Sequence, residues 1–141
     1  MTVTQSLEVE RLIPATIERV FDAWLDAESI KEWMRPGPGM TVPRATIDAR
    51  VGGKYLIVMA NPEREIPHEG EYRVIDRPNR LVFTWVSEPA GNSVVTVLFE
   101  KVSGESTRVV LRHEKLPDEQ SRDGHRSGWG TILEMLERAF A

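Results

Sequence analysis

The chain carries three histidines, and His113 has the sequence context best suited to chemistry inside the molecule. It continues the alternation of Val109 and Leu111 along a predicted strand, so its side chain is expected on the same inward face. An inward histidine can donate a hydrogen bond or transfer a proton to a bound molecule. The same position also suits a structural histidine whose ring is hydrogen-bonded near a strand end. The alternation fits both roles.

The other two histidines do not form a local metal motif. His68 falls in a predicted loop and His125 near the start of a predicted helix. No two histidines have the close spacing typical of metal ligands. We therefore expect no metal site and no cofactor, and no residue is singled out as catalytic.

Charged residues offer two further kinds of chemistry. Asp48 and Arg50 are two apart on a predicted strand and share a face, where they can pair or anchor the following glycine turn. Arg11 and Arg44 have an inward-leaning parity, and a guanidinium there can bind an anionic head group. The alternative for both arginines is a position at the sheet edge with the head group in water.

Composition excludes several classes of function. The 141 residues include no cysteine, which fits a reducing, cytoplasmic compartment and excludes thiol chemistry. A net charge of −4 argues against nucleic-acid binding. No apolar run is long enough to cross a membrane, and the N-terminus has no secretory signal. The phosphate-binding loop, the dinucleotide fingerprint and the serine nucleophile elbow are also absent from the sequence.

The pattern of elements predicts one domain over residues 1–141, with one strand, two short helices, six strands and a long helix. Ser6–Ile13 alternates as a strand, and Thr16 is placed to cap a helix through Trp24. A second helix is expected around Ser29–Met34, with Ser29 and Glu32 at capping-box spacing. Six strands are then predicted: Val42–Arg50, Lys54–Ala60, Glu69–Asp76, Leu81–Glu88, Ser93–Val102 and Thr107–Glu114. Asn61–His68 is predicted as an exposed loop and Leu116–Gly124 as a mobile polar segment.

The last helix, Arg126 to Ala141, has an apolar stripe that must be buried. Its stripe runs through Trp129, Ile132, Leu133, Leu136 and Phe140. The strands also have one aromatic-rich face, so helix and sheet are expected to cover each other and to enclose a cavity. The candidate cavity residues, each of which also suits an ordinary core position, are Trp33, Tyr55, Met59, Tyr72, Trp85, His113, Trp129 and Leu133.

Short motifs spread over nearly the whole chain occur in a characteristic order. They are Val20-Phe21-x-Ala23-Trp24, Glu32-Trp33, Asp48-x-Arg50-x-Gly52-Gly53, Arg77-Pro78-x-Arg80-Leu81-Val82-Phe83-Thr84-Trp85, Leu111-Arg112-His113 and Gly128-Trp129. In this order they resemble the homologues of the heat-shock protein 90 ATPase activator, within the START-like (Bet v1-like, polyketide-cyclase-like) superfamily. The resemblance implies an α+β helix-grip fold, in which a curved seven-stranded antiparallel sheet wraps around the long C-terminal helix.

The resemblance also implies three classes of function. The first is non-enzymatic binding of a small hydrophobic or lipid-like ligand in a cavity between the sheet and the C-terminal helix. The second is an accessory factor in the stress response that binds a chaperone or another protein. The third is a cyclase or hydrolase that uses His113. The chain is expected to be a stand-alone domain without the eukaryotic activator's additional N-terminal chaperone-binding domain. Because no catalytic motif is present, we favour ligand binding over catalysis. Both a monomer and a homodimer are compatible with the sequence, since an exposed edge strand can pair.

Overall fold

A computed structural model describes residues 4–141 of the chain, in which a single antiparallel sheet is combined with three helices. The elements in chain order are β1 (Gln5–Ile13), α1 (Ile17–Ala23), α2 (Ala27–Trp33), β2 (Thr41–Ile47), β3 (Lys54–Ala60), β4 (Glu65–Asp76), β5 (Arg80–Ser87), β6 (Gly91–Ser103), β7 (Ser106–Leu116) and α3 (Glu119–Phe140). The predicted helix-grip fold is confirmed.

The sheet has the strand order β1-β7-β6-β5-β4-β3-β2. Five neighbours are consecutive in sequence, whereas β1 pairs with β7, so that Leu7 lies opposite His113. The strands alternate as predicted, and the aromatic residues of β3, β4 and β5 share the inner face, the one covered by the helices. The inner faces and helices α1, α2 and α3 together form one hydrophobic core.

The α3 helix covers the inner face with the predicted stripe. Trp129, Ile132, Leu133 and Leu136 are buried, whereas Phe140, the last residue of the predicted stripe, is only partly buried. Trp129 packs on Trp85 of β5, with ring centroids 5.0 Å apart. The sheet and the second half of α3 are therefore in direct contact through large side chains.

The predicted start of α2 and the predicted end of β2 are wrong, each for a local reason. The α2 helix begins after Asp26, whose carboxylate accepts hydrogen bonds from the backbone of Glu28 and Ser29; Ser29 is no cap, and its hydroxyl accepts from the Trp33 indole. Strand β2 ends at Ile47 instead of Arg50, because Asp48 to Gly53 forms a hydrogen-bonded turn.

The segment predicted as an exposed loop is in part a strand. Residues Glu65 to His68 belong to β4 and pair with β3. Pairing of β4 with β5 begins only at Glu69, so Pro67 lies where the strand has a neighbour on one side, and such a position tolerates proline. As a result His68 is buried rather than exposed.

The segment predicted as mobile before α3 is helical from Glu119. Asp118 caps the helix by accepting a hydrogen bond from the backbone of Ser121, at 2.8 Å. The helix therefore begins seven residues before the predicted start at Arg126. Its first two turns escape the sequence pattern because they carry no apolar stripe.

Gly70 allows an unusual close approach on the inner face of the sheet. The Tyr55 hydroxyl donates a 2.6 Å hydrogen bond to the Thr84 carbonyl oxygen across the position of Gly70. A Cβ at residue 70 would lie 2.0 Å from that oxygen and 2.7 Å from Tyr55 Cε2. Only glycine fits between the two strands here.

We expect Gly70→Ala to lower the free energy of unfolding by about 1–3 kcal/mol or more, because the added methyl group overpacks a backbone carbonyl and a buried ring. Urea denaturation measures this change. Gly104→Ala is the matched control, since a Cβ there meets no heavy atom within 4 Å. The control is expected to change stability by about 0.5 kcal/mol or less. Equal effects of the two substitutions would contradict the steric account.

Candidate functional site

A cavity of about 540 Å³ lies between the first half of α3 and the inner face of β3, β4 and β5. It is partly open to solvent. The loop between α2 and β2 and the turn between β5 and β6 complete its walls. The second half of α3, by contrast, packs against the sheet through Trp129, Leu133 and Leu136.

The cavity exists because α3 has small residues where it faces the sheet. Ser121, Gly124 and Gly128 follow one another at helical spacing and all line the space. A Cβ at Gly124 would meet no heavy atom within 4 Å, so the space beside it is empty of protein. Each glycine lowers helix stability by roughly 0.8–1.0 kcal/mol relative to alanine. The small residues thus leave volume unfilled between the helix and the sheet, at a cost in helix stability, and at Gly128 they also allow close contact with Pro36, since a Cβ there would lie 3.3 Å from Pro36 Cβ.

The wall combines apolar and polar side chains. The apolar residues are Pro36, Met40, Met59, Ile66, Trp85, Pro89, Pro117, Trp129 and Ile132. The polar and charged residues are His68, Glu88, Asp118, Gln120, Ser121 and His125. A guest would therefore meet large apolar surfaces together with a few hydrogen-bonding groups.

Of the eight candidate cavity residues, Met59, Trp85 and Trp129 line this space. The other five are buried elsewhere: Trp33, Tyr55, Tyr72, His113 and Leu133. Trp33 packs edge-on against Trp24, and Tyr55 packs against Tyr72 with ring centroids 5.5 Å apart. A role of any candidate in binding stays a prediction.

Several wall residues were missed by the sequence analysis. His68 was assigned to a loop, and Ser121 and Gly124 to a mobile segment. The signal that could have found them is the run of small residues at spacings of three and four before Trp129. On one face of a helix, such a run of small residues leaves the space beside the helix empty, whereas a stripe of large apolar residues fills that space.

His113 is held by a fixed chain of hydrogen bonds. Trp129 Nε1 can only donate, and it lies 2.9 Å from His113 Nδ1, which must therefore accept. His113 Nε2 then carries the proton and donates to Ser93 Oγ at 2.7 Å. The Ser93 hydroxyl in turn donates to the Trp85 carbonyl oxygen at 2.7 Å. This chain assigns the neutral tautomer of His113 without ambiguity.

Burial, together with smaller effects of the nearby His125 and His68, lowers the pKa of His113 to about 3. Protonation of Nδ1 would place its N–H against the N–H of the Trp129 indole, which already donates to Nδ1. Both ring nitrogens are occupied, and the residue is fully buried. The geometry supports the structural role for His113 and counts against proton transfer.

Asp118, Ser121 and His125 are the residue types of a catalytic triad, and they lie together at the cavity wall. The Ser121 hydroxyl, however, donates to the Pro89 carbonyl oxygen at 2.7 Å. His125 Nδ1 lies 2.7 Å from the Ser121 carbonyl oxygen, so this nitrogen carries a proton and donates it. A protonated nitrogen 3.3 Å from Ser121 Oγ cannot act as its base. The cluster holds the helix start in place and does not activate a nucleophile.

Two buried nitrogens of the wall residues have no hydrogen-bond partner. They are His68 Nδ1 and Trp85 Nε1, whose rings pack with centroids 4.8 Å apart. Burial lowers the pKa of His68 to about 4, so its ring is neutral at pH 7. Each unpaired group costs about 1–3 kcal/mol. The wall therefore contains unused hydrogen-bonding capacity.

The arginines considered for anion binding do not line the cavity. Arg11 forms an ion pair with Glu137 of α3, and Arg44 forms one with Glu65 of β4. Arg50 pairs with Asp48 at the glycine turn, as one of the predicted alternatives has it. Each of these cations already has an acidic partner.

A second depression, of about 510 Å³, lies on the outer face of the sheet over β4, β5 and β6. It is bordered by charged and polar residues that include Lys54, Glu69, Glu71 and Arg73. Tyr55, one of the eight candidate residues, also borders it, but no tryptophan is among its lining residues. The inner cavity is the better candidate for a hydrophobic guest.

Among residues 4–141, no group of three or more histidine, aspartate or glutamate side chains is arranged to hold a metal ion. Within the same range, no helix is long and apolar enough to cross a membrane.

The histidine pKa values predict a loss of stability in mild acid. A folded-state pKa of about 3 for His113, against about 6.5 in the unfolded chain, means that unfolding takes up a proton below pH 6.5. The stabilisation is complete above that pH and is lost as pH falls toward 3. Between pH 7 and pH 5 His113 should account for about 2 kcal/mol of the decrease.

Urea denaturation at pH 7 and pH 5 tests this prediction with His113→Gln. Glutamine can accept from Trp129 and donate to Ser93, and it does not titrate. The variant is expected to lose about 2 kcal/mol of the pH dependence. His68→Gln, a second variant, is expected to act in the same direction because the folded-state pKa of His68 is about 4. An unchanged pH dependence in both variants would contradict the neutral assignment.

The chain is similar to a protein family and to several solved structures. Residues 14–141 match the family model described as Activator of Hsp90 ATPase homolog 1-like protein. No curated protein matches the chain. The AHSA1 protein SPO3351 from Silicibacter pomeroyi has a similar crystal structure, with 26% sequence identity, 96% of each chain covered and a TM-score of 0.83.

Two further solved structures share the fold. Protein CV1439 from Chromobacterium violaceum is 23% identical, with 96% of each chain covered and a TM-score of 0.86. The AHSA1-like protein from Aeromonas hydrophila, solved by NMR, is 23% identical, with 96% of this chain and 94% of that chain covered and a TM-score of 0.77. Because the family model matches residues 14–141, nearly the whole chain, the chain belongs to the Activator of Hsp90 ATPase homolog 1-like proteins.

Proposed function

We propose that the protein binds a small hydrophobic molecule, without catalysis, in the cavity between α3 and the sheet. The observation that carries this proposal is the open space of about 540 Å³ with the rings of Trp85 and Trp129 in its wall. Ligand sites commonly have volumes of about 300–1,000 Å³. A guest of matching shape would cover apolar surface that is otherwise in contact with water.

Aromatic and sulfur-containing side chains provide the attraction for such a guest. Burial of apolar surface contributes roughly 25 cal/mol per Å². The indoles of Trp85 and Trp129 offer flat faces for stacking, and Met40 and Met59 can adapt to different shapes. The site thus suits a guest with an aromatic or branched apolar body.

The unpaired nitrogens support a guest that also has a polar group. Three buried side-chain nitrogens within residues 4–141 lack a partner, and two of them belong to His68 and Trp85 of the cavity wall. Both nitrogens are buried, so a guest would meet them only after the rings turn. A hydroxyl or carbonyl group beside them would then replace the missing partner.

The absence of catalysis is proposed from the hydrogen bonds of His113, which is buried outside the lining, and of Ser121, which lines the cavity. His113 has no free nitrogen, and Ser121 has no base. An enzyme using His113 would need a ring that accepts and releases a proton near pH 7, whereas burial lowers the pKa of this ring to about 3. A chaperone-binding role remains a second proposal, and it is supported by family membership alone.

Filling the cavity from the helix tests the proposal. We expect Gly124→Leu to weaken binding of 2-naphthol, a neutral aromatic probe, by about tenfold or more, because the leucine would occupy the empty space beside α3. Titration calorimetry measures the affinity. The substitution should not destabilise the fold, since a Cβ at Gly124 meets no atom within 4 Å and leucine is a better helix former than glycine.

Gly130→Leu is the matched control. Gly130 lies on the same helix, and its Cβ would also be unhindered, but it does not line the cavity. The control should retain the affinity of the unchanged protein. If circular dichroism shows that both variants are folded and the two have equal affinity for the probe, the proposed site is wrong. Failure of the unchanged protein to bind any neutral hydrophobic probe would do the same.

A further inference from the structure

We infer that the cavity selects hydrophobic molecules whose polar end carries no negative charge, and that Asp118 and Glu88 at its rim determine this specificity. The inference rests on the proposed function, since it concerns the guest of the same cavity. It excludes fatty acids and phosphate-bearing lipids as preferred ligands and favours alcohols, other uncharged molecules and amines.

The charge of the wall is one-sided. In the described part of the chain, two residues with a formal charge line the cavity, Asp118 and Glu88, and both are acidic. The protein has 18 lysines and arginines in all, yet none of them lines this space. A carboxylate or phosphate entering the cavity would approach two like charges and no opposite one.

Three arginines close in sequence to the wall, Arg35, Arg64 and Arg122, have partners of their own, and Arg126, which follows His125, does not line the cavity. Arg122 binds Asp123 and Gln5, each at 2.9 Å. Arg35 donates to the Glu32 carbonyl oxygen and contacts the sulfur of Met135. Arg64 lies 3.6 Å from Glu88 and reduces the charge of that rim residue, whose side chain is 85% exposed. Asp118 is therefore the stronger of the two specificity determinants.

Asp118 also occupies a backbone donor at the cavity, the Ser121 N–H, that would otherwise attract an anion. The first turn of a long helix has free N–H groups that bind carboxylates and phosphates. In α3, a helix of 22 residues, the Asp118 carboxylate accepts from the Ser121 N–H at 2.8 Å and so takes this position itself. A guest's carboxylate would have to displace it.

The histidines of the site do not reverse this charge. Burial lowers the pKa of His68 to about 4 and that of His113 to about 3, and burial also lowers the pKa of His125. None of the three rings is a cation at pH 7. The lining residues therefore include no positive group at neutral pH, and Arg64, outside the lining, is paired with Glu88 and leaves Asp118 without a compensating cation in the wall.

Three probes with the same eight-carbon chain test the inference: octanol, octanoate and octylamine. At pH 7 and low salt we expect octanoate to bind roughly fivefold or more weakly than octanol, and octylamine to bind at least as tightly as octanol. Titration calorimetry gives the affinities. The gap between octanol and octanoate should narrow as salt is added, because the rim is exposed to solvent.

The variant Glu88→Gln/Asp118→Asn assigns the selectivity to the rim. Asparagine still caps the helix, so the fold should be retained. The variant should bind octanoate within about twofold of octanol. Glu10→Gln/Glu105→Gln changes the net charge equally at two exposed positions away from the cavity, and it should keep the selectivity of the unchanged protein.

The possible results separate the two proposals. If octanol binds and octanoate binds as tightly, the inference is overturned while the proposed function stands. If neither binds, the proposed function itself fails, and the inference fails with it. Octylamine weaker than octanol, or equal loss of selectivity in the control variant, would overturn the role given to Asp118 and Glu88.

Discussion

The hydrogen-bond chain from Trp129 through His113 to Ser93 is the interaction on which the rest of the architecture depends. It joins α3 to β7 and β6 through groups that are all buried. Because an indole N–H can only donate, the chain admits one direction and one histidine tautomer. An unpaired member would be left without water to replace its partner. The chain thus fixes the position of α3 relative to the sheet at the point where the packed half of the helix begins.

From that point the two halves of α3 serve different purposes. The second half fills the interior with Ile132, Leu133 and Leu136. The first half has small residues that leave the cavity unfilled. It is still held in place, because the Ser121 hydroxyl donates a 2.7 Å hydrogen bond to the Pro89 carbonyl oxygen in the turn after β5. The helix is therefore attached on both sides of the cavity. A space held in this way can remain open without a guest, which reduces the reorganisation that binding requires.

The sequence predicts the fold well because two simple periods dominate it. The alternation in β5, β6 and β7 identifies the inner face, and the stripe around Trp129 identifies the covering helix. The cavity is harder to predict, because the alternation along a strand shows which face of the sheet a side chain lies on but does not show the distance between that face and the helix. Tyr72 and Trp85 share a face, yet only Trp85 reaches the cavity. His68 was missed because the neighbouring Pro67 is atypical of a strand. Ser121 was missed because a helical turn that faces an empty space carries no apolar stripe.

The pairing of β1 with β7 has a consequence for how the chain folds. Leu7 and His113, which lie opposite each other, are brought together only by closing a long loop of intervening sequence. Contacts between residues so far apart slow folding, because chain entropy is lost before the contact is gained. During synthesis, β1 has no partner until β7 emerges, and the aromatic face of the sheet stays uncovered until α3 follows. Until α3 is synthesised, the aromatic inner face of the sheet is therefore exposed to water. During this time, association with other chains competes with completion of the fold.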